Sequence, residues 1–117
     1  MACRHLTRMG FVIEERNWRN KVGEIDIIGV KLRALYFFEV KTRRESTQAE
    51  FPGRDRIDHK KIERTKNLIE SYCLTYPDVI RRARINRILF ELIEVVTADS
   101  KFKILIKKPR IEVISIF

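Results

Sequence analysis

Apolar positions along the chain keep one spacing, exchange it for another, and then return to the first. Phe11, Val12 and Ile13 form a short apolar run. The stretch GEIDIIGVKLRALYFFEVK, Gly23 to Lys41, then holds Ile25, Ile27 and Val30 in one run and Leu35 to Val40 in a second, with Gly29 and Lys31 to Arg33 between them. Alternation and β-rich composition on both sides of a polar break predict a hairpin. From about residue 56 to 76 the spacing changes: Ile62, Thr65, Ile69, Tyr72, Cys73 and Tyr76 recur every three or four residues, the stripe of an amphipathic helix that Pro77 is expected to end. Asp58 falls in its first turn, where the helix dipole favours an acid.

Strand patterns resume at Ile88 to Val96, Phe102 to Ile106 and Ile111 to Phe117. Met1 to Met9 reads as the last turn or two of a helix closed by Gly10. Thr42 to Asp55, with Ser46, Thr47, Pro52 and Gly53, reads as a loop. The order is strand, hairpin, long helix, then two or three strands, which predicts an α/β or α+β domain built on one mixed sheet.

The hairpin carries charge where a buried strand would not. Side chains alternate across a strand, so Glu24 and Asp26 share one face of the first strand, and Glu39 and Lys41 share one face of the second with Val40 opposite. An uncompensated ion in such a place costs on the order of several kcal/mol. The bland explanation is a turn or ion-pair role for Asp26 and a same-face Glu39–Lys41 salt bridge, worth roughly 1 kcal/mol or less. The sharper one is a site.

Bulk properties narrow the partners. The chain has 117 residues, a size suited to a single domain over 1–117, and 25 Lys+Arg against 16 Asp+Glu give a formal charge of +9. Such an excess favours polyanions. It is concentrated at Arg43 and Arg44, at Lys60, Lys61, Arg64 and Lys66 on the helix, and at Arg81, Arg82, Arg84 and Arg87, read as a connection between that helix and the next strand. The arginines are expected nucleic-acid contacts, since arginine's planar fork suits phosphate, and the helix cations have two readings, phosphate contacts or a solvated helix face. Trp18 has two readings, a base-stacking group or a core residue, and the second is the commoner. Cys3 and Cys73 make neither a disulfide framework nor a metal motif, so a reduced, cytoplasmic protein is expected. No apolar run approaches a membrane span, and no membrane role is expected.

An Asp on one strand and Glu-x-Lys on the next suit metal-assisted attack on a phosphodiester. Two carboxylates hold a hard cation such as Mg²⁺ or Mn²⁺ while leaving positions for water and phosphate. A lysine on the same face stabilises the developing charge. Asp26 followed 13 residues later by Glu39-Val40-Lys41 resembles the PD-(D/E)xK nuclease superfamily, which includes restriction endonucleases and Holliday-junction resolvases. Gly10-Phe11 through Arg16-Asn17-Trp18-Arg19, Gly23 to Ile28 and Phe38 to Arg43 are similar, more narrowly, to the bacterial YraN family of endonuclease-like proteins.

The resemblance implies an α/β, restriction endonuclease-like fold with a central mixed sheet flanked by helices. It implies Asp26, Glu39 and Lys41 as catalytic residues, and Asp26, Glu39 and the Val40 carbonyl as metal ligands with Glu24 as a further candidate. DNA is the favoured substrate, and a homodimer is a further expectation, as resolvase-like relatives often pair. A fainter likeness adds Lys60 or Lys61 and the segment Phe90-Glu91-Leu92-Ile93.

The chain also departs from that pattern. Relatives usually bring an acid from a longer N-terminal helix, whereas no Asp or Glu precedes Glu14 here. Glu24 compensates, a partner supplies the acid, or catalysis is weak. Pro109 to Phe117 has no counterpart in the pattern. The competing functions are therefore a nuclease, a nucleic-acid-binding module that does not cut, and a protein-interaction domain using the apolar C-terminus.

Overall fold

A computed structural model describes residues 2–44, 59–98, 101–106 and 111–113. Helix α1 (Ala2–Arg8) leads into strands β1 (Val12–Arg19), β2 (Glu24–Lys31) and β3 (Ala34–Arg44). Helices α2 (His59–Thr75) and α3 (Pro77–Arg82) follow, then β4 (Arg87–Ala98), β5 (Lys101–Ile106) and β6 (Ile111–Val113). The strands form one mixed sheet in the order β1-β2-β3-β4-β5, with β6 paired to β4 beside β5. Among the described strands, only β3 and β4 run parallel, in register from Ala34↔Arg87 to Arg44↔Thr97, and the helical crossover between them supplies α2 and α3. The architecture is α/β with a mixed sheet flanked by helices.

Two cores lie on the two faces of the sheet. Trp18, Ile25, Ile28, Leu35, Phe37, Ile88 and Phe90 pack against Leu68, Ile69 and Tyr72 of α2 and Val79 and Ile80 of α3. Phe11, Ile27, Phe38, Ile93 and Val95 pack against Ala2 and Leu6 of α1. Tyr72 is the hub of the first cluster, with Trp18 and Phe37 set edge-on to its ring at 5.4 and 5.5 Å. Of the two readings of Trp18, the core one holds: it is 9% exposed. Burial, with Glu14 and Glu15 nearby, pushes the Tyr72 phenol up to about 12.

Gly10 closes α1 as expected, at φ +97°, with its N–H on the Thr7 carbonyl and the Phe11 N–H on the Leu6 carbonyl. Three boundaries differ from the sequence reading. Pro77 ends α2 but opens α3, because a proline at the first helical position gives up only an N–H that had no partner. The connection expected over Arg81 to Arg87 is accordingly split, with Arg81 and Arg82 in α3, Arg84 in a left-handed bend at φ 51° and Arg87 at the start of β4. Thr42 to Arg44 belong to β3 rather than to a loop, since β4 continues to pair with them. The rest of that loop and Asp58 lie outside the described residues, as do 114–117. Among the described residues, no helix is long and apolar enough to cross a membrane.

The edge strand β1 is irregular. Its register against β2 slips between Ile13 and Glu15, and Asn17 adopts φ 53°. Arg16↔Ile27 and Trp18↔Ile25 flank that point, so Asn17 lies across from Asp26. Strict alternation would send Ile25 to the α1 side with Ile27, yet Ile25 and Trp18 both pack on the α2 side. The face changes at Asn17 and Asp26.

Phe37 is fully buried at the centre of the α2-side core. Phe37→Ala is expected to cost about 3–5 kcal/mol in denaturant unfolding, the range for an aromatic truncation that leaves a cavity. Glu91 gives a second test. It pairs in register with Phe38 on the α1 side, is 9% exposed, and burial raises its pKa above 4.5. The unfolded chain therefore releases this proton first, and the contribution of Glu91 to stability falls as pH rises above that value. Glu91→Gln should stabilise the fold at about pH 8 and lose that advantage near pH 4, read from unfolding midpoints.

Candidate active site

The hairpin and α2 together enclose a cleft of about 370 Å³, lined by Val22 and Gly23 from the β1–β2 turn, Glu24, Ile25, Asp26, Phe38 and Glu39 from β2 and β3, Lys61, Arg64, Thr65 and Leu68 from α2, and Phe90 from β4. Its rim is set by the turn between β1 and β2. Asn20 accepts the N–H groups of Val22 and Gly23 on its side-chain oxygen at 2.8 and 3.2 Å, an Asx turn. Its amide donates to Ser71 Oγ on α2 at 3.1 Å. The start of β2 is thereby tied to the helix above it. Gly23 sits so close to α2 that a Cβ there would meet Leu68 at 3.3 Å. Sequence reading passed over Asn20; an Asn three residues before a Gly ahead of a strand was the available signal.

Asp26 holds the centre. The β2–β3 ladder runs from Lys31↔Ala34 to Ile27↔Phe38 and goes no further. At the next position the Val40 N–H donates to Asp26 Oδ2 at 2.7 Å. Asp26 thus takes over the main-chain pairing at the point where the two strands part, and no other hydrogen bond to its carboxylate is found among the described residues. Glu39, which follows Phe38 on the α2 side, enters the same cleft. Its two oxygens accept from Lys61 Nζ at 2.9 and 3.1 Å. Glu24 is at the rim, 3.7 Å from Arg19 in an exposed ion pair. Val40 turns to the α1 side, as the alternation requires.

Lys41 and Arg43 continue the Glu39 face along β3, beyond the cleft lining. Lys41 is exposed. It lies directly across from Glu94 on β4, and Arg43 Nε donates to Glu94 Oε1 at 2.6 Å. Glu94, 9% exposed, is the acid on this face that sequence reading did not single out. The run Ile88 to Val96 hides it, because a strand buried on both sides shows no alternation to rank its charges. Glu91, inside the segment Phe90 to Ile93 that carries the fainter likeness, faces the opposite side.

The expected phosphate contacts fall into two sets. Lys61 and Arg64 line the cleft, Lys60 is exposed in the first turn of α2, and Arg43 and Arg44 end β3. Arg81, Arg82 and Arg84 lie by the opposite end of β3, where Arg33 Nε donates to the Arg84 carbonyl at 3.0 Å. From Ala34 to Lys41 the strand spans roughly 23 Å, so the two sets do not form one patch. Among the described residues, Arg81 pairs with Asp78, Arg82 with Glu14 at 2.8 Å, Arg43 with Glu94, and Lys61 with Glu39. Burial pushes the Cys73 thiol up to about 11, away from the range of a reactive thiolate.

The donor set suits a hard divalent cation held mostly by water. Asp26 and Glu39 offer carboxylate oxygens in one cleft and the Val40 main chain adjoins them, which is enough for Mg²⁺-type binding through one or two acids. Lys61 already places one positive charge on Glu39. Among the described residues, no three of His, Cys, Asp and Glu converge on a common point.

Comparison with known proteins finds relatives in bacteria. A UPF0102 protein of Campylobacter jejuni subsp. jejuni is 44% identical over 73 residues, covering 62% of this chain and 62% of the relative. One from Campylobacter lari is 41% identical over 76 residues, 65% of this chain and 64% of the relative. One from Dictyoglomus thermophilum is 34% identical over 95 residues, 81% of this chain and 75% of the relative. The matches to the Campylobacter proteins thus span a little under two thirds of those relatives' length. The model of the uncharacterised protein family UPF0102 matches residues 1–116, and the chain belongs to that family.

Proposed function

We propose that the chain is a metal-dependent nuclease of the PD-(D/E)xK type, with a restriction endonuclease-like core, that hydrolyses phosphodiester bonds in DNA, branched or structured DNA included. The observation that carries the reading is the meeting of Asp26 and Glu39 in one cleft, on the sheet face that β3 continues as Lys41. Asp26, Glu39 and the Val40 carbonyl would hold Mg²⁺ or Mn²⁺, with Glu24 at the rim. Such an ion, when bound, lowers the pKa of a coordinated water and neutralises charge on phosphate oxygens.

The remaining chemistry belongs to the chain. The Val40 N–H fixes one oxygen of Asp26 and so orients the carboxylate before anything binds. Lys41, exposed on the Glu39 face, offers an ammonium to the charge that develops on the attacked phosphoryl group. Lys61 and Arg64 on the cleft wall, with Arg43, Arg44 and Lys60 beyond it, hold the backbone of the substrate. Arg81, Arg82 and Arg84 suit contacts with a more distant part of the same duplex.

A second reading, binding of nucleic acid without cleavage, is favoured by one observation. Lys61 and Arg43 already neutralise Glu39 and Glu94, and α1 contributes no acid. Incubation with Mg²⁺ or Mn²⁺ on linear, nicked and branched DNA separates the two. Cleavage is expected, and Asp26→Ala or Lys41→Ala should each lower its rate by roughly 100- to 1000-fold, the effect of removing one electrostatic contributor to a transition state. Cleavage that survives both substitutions would sink the nuclease reading. DNA binding that weakens steeply with salt, with no cleavage under any of these conditions, would favour the second.

A further inference from the structure

The two carboxylates at the heart of the cleft are held in different ways. Asp26 is fixed by the main chain of β3 through Val40. Glu39 is fixed by a side chain, and a mobile kind of side chain. Lys61 Nζ bridges both of its oxygens at 2.9 and 3.1 Å, the same acceptor atoms a divalent ion would draw on. The pair is at the mouth of the cleft, the lysine side chain 42% and the glutamate 27% exposed. A compact ammonium on a four-carbon stem leaves such a partner cheaply, because water and salt replace much of what it loses.

We propose that Lys61 is a built-in competitor for the cation site, one that gives up Glu39 to a divalent ion and takes a nucleic-acid phosphate in exchange. The inference rests on reading the cleft as a metal-dependent phosphodiester site. With both of its oxygens on the ammonium, Glu39 must turn at least one of them to a divalent ion, and the two cations repel each other at that range. A cation arriving between Asp26 and Glu39 therefore expels Lys61. The released ammonium remains beside Arg64 at the cleft wall, where two adjacent positive charges attract the phosphate of an incoming strand. A phosphate that captures Lys61 frees Glu39, so nucleic acid and divalent ion promote each other's binding, and linkage makes the effect reciprocal. Lys61 is in these terms a positioning residue: it keeps cation affinity low until a polyanion is present.

The test is the affinity for Mn²⁺ of the protein without nucleic acid, measured by loss of the free-ion electron paramagnetic resonance signal. Lys61→Gln and Lys61→Met, which remove the charge at a half-exposed position, should bind Mn²⁺ roughly three- to fivefold more tightly than the wild type, the factor that release of a surface ion pair allows. Lys61→Arg keeps the charge and should stay near the wild-type value. Equal or weaker binding by both neutral variants overturns this inference and leaves the metal site standing. Absence of Mn²⁺ binding in every variant overturns the inference together with the metal-dependent reading of the cleft.

Discussion

The hydrogen bond from the Val40 N–H to Asp26 is the constraint on which the rest of the cleft depends. Up to Ile27↔Phe38 the two strands satisfy each other by main-chain pairing. Beyond it a carboxylate replaces a carbonyl as the acceptor, and β3 leaves β2 without orphaning its amide. The separation is where the cleft opens: beyond Ile27↔Phe38 the ladder stops, and Asp26 and Glu39 line a space faced by Lys61 and Arg64 of α2. Across β2, the left-handed Asn17 accommodates the same departure by turning Trp18 and Ile25 together toward α2. An acid inside an apolar run thus holds the fold and shapes the candidate site with the same side chain.

This double use explains what was legible in the sequence and what was not. The hairpin, the helix stripe, the cap at Gly10 and the opposition of Glu39 to Val40 all follow from short-range periodicity, which needs no partner to be read. Asp26 stood out because charge in a strand is costly. Its acceptor role did not, because that depends on where another strand stops pairing. Pro77 carried an ambiguous signal, since proline both ends one helix and begins the next. Glu94 was hidden in a strand covered on both faces, and the attachment of Lys61 to Glu39 joins residues 22 apart in sequence through a crossover that periodicity does not reveal.

The pairings also change the meaning of the charge balance. A formal +9 suggests cations ready for phosphate. Yet Arg43, Lys61, Arg81 and Arg82 each have a carboxylate at hand, and so a polyanion meets a surface on which several of the relevant groups are engaged. Such a surface attracts at long range through its net charge, but at short range these four groups engage by exchanging partners. Ionic strength then acts twice, once on the approach and once on the internal pairs.

The two irregularities of β1 have a consequence for self-association. An exposed sheet edge ordinarily invites a strand from a second molecule, and a homodimer built that way needs a regular row of outward N–H and C=O groups. The slip between Ile13 and Glu15 and the left-handed turn of the backbone at Asn17 interrupt that row twice within eight residues. A neighbouring chain cannot lay a continuous strand along this edge. The distortion that serves the cleft on one side of β2 therefore also blunts this edge against backbone pairing, and a second copy meeting the protein at β1 would do so through side chains.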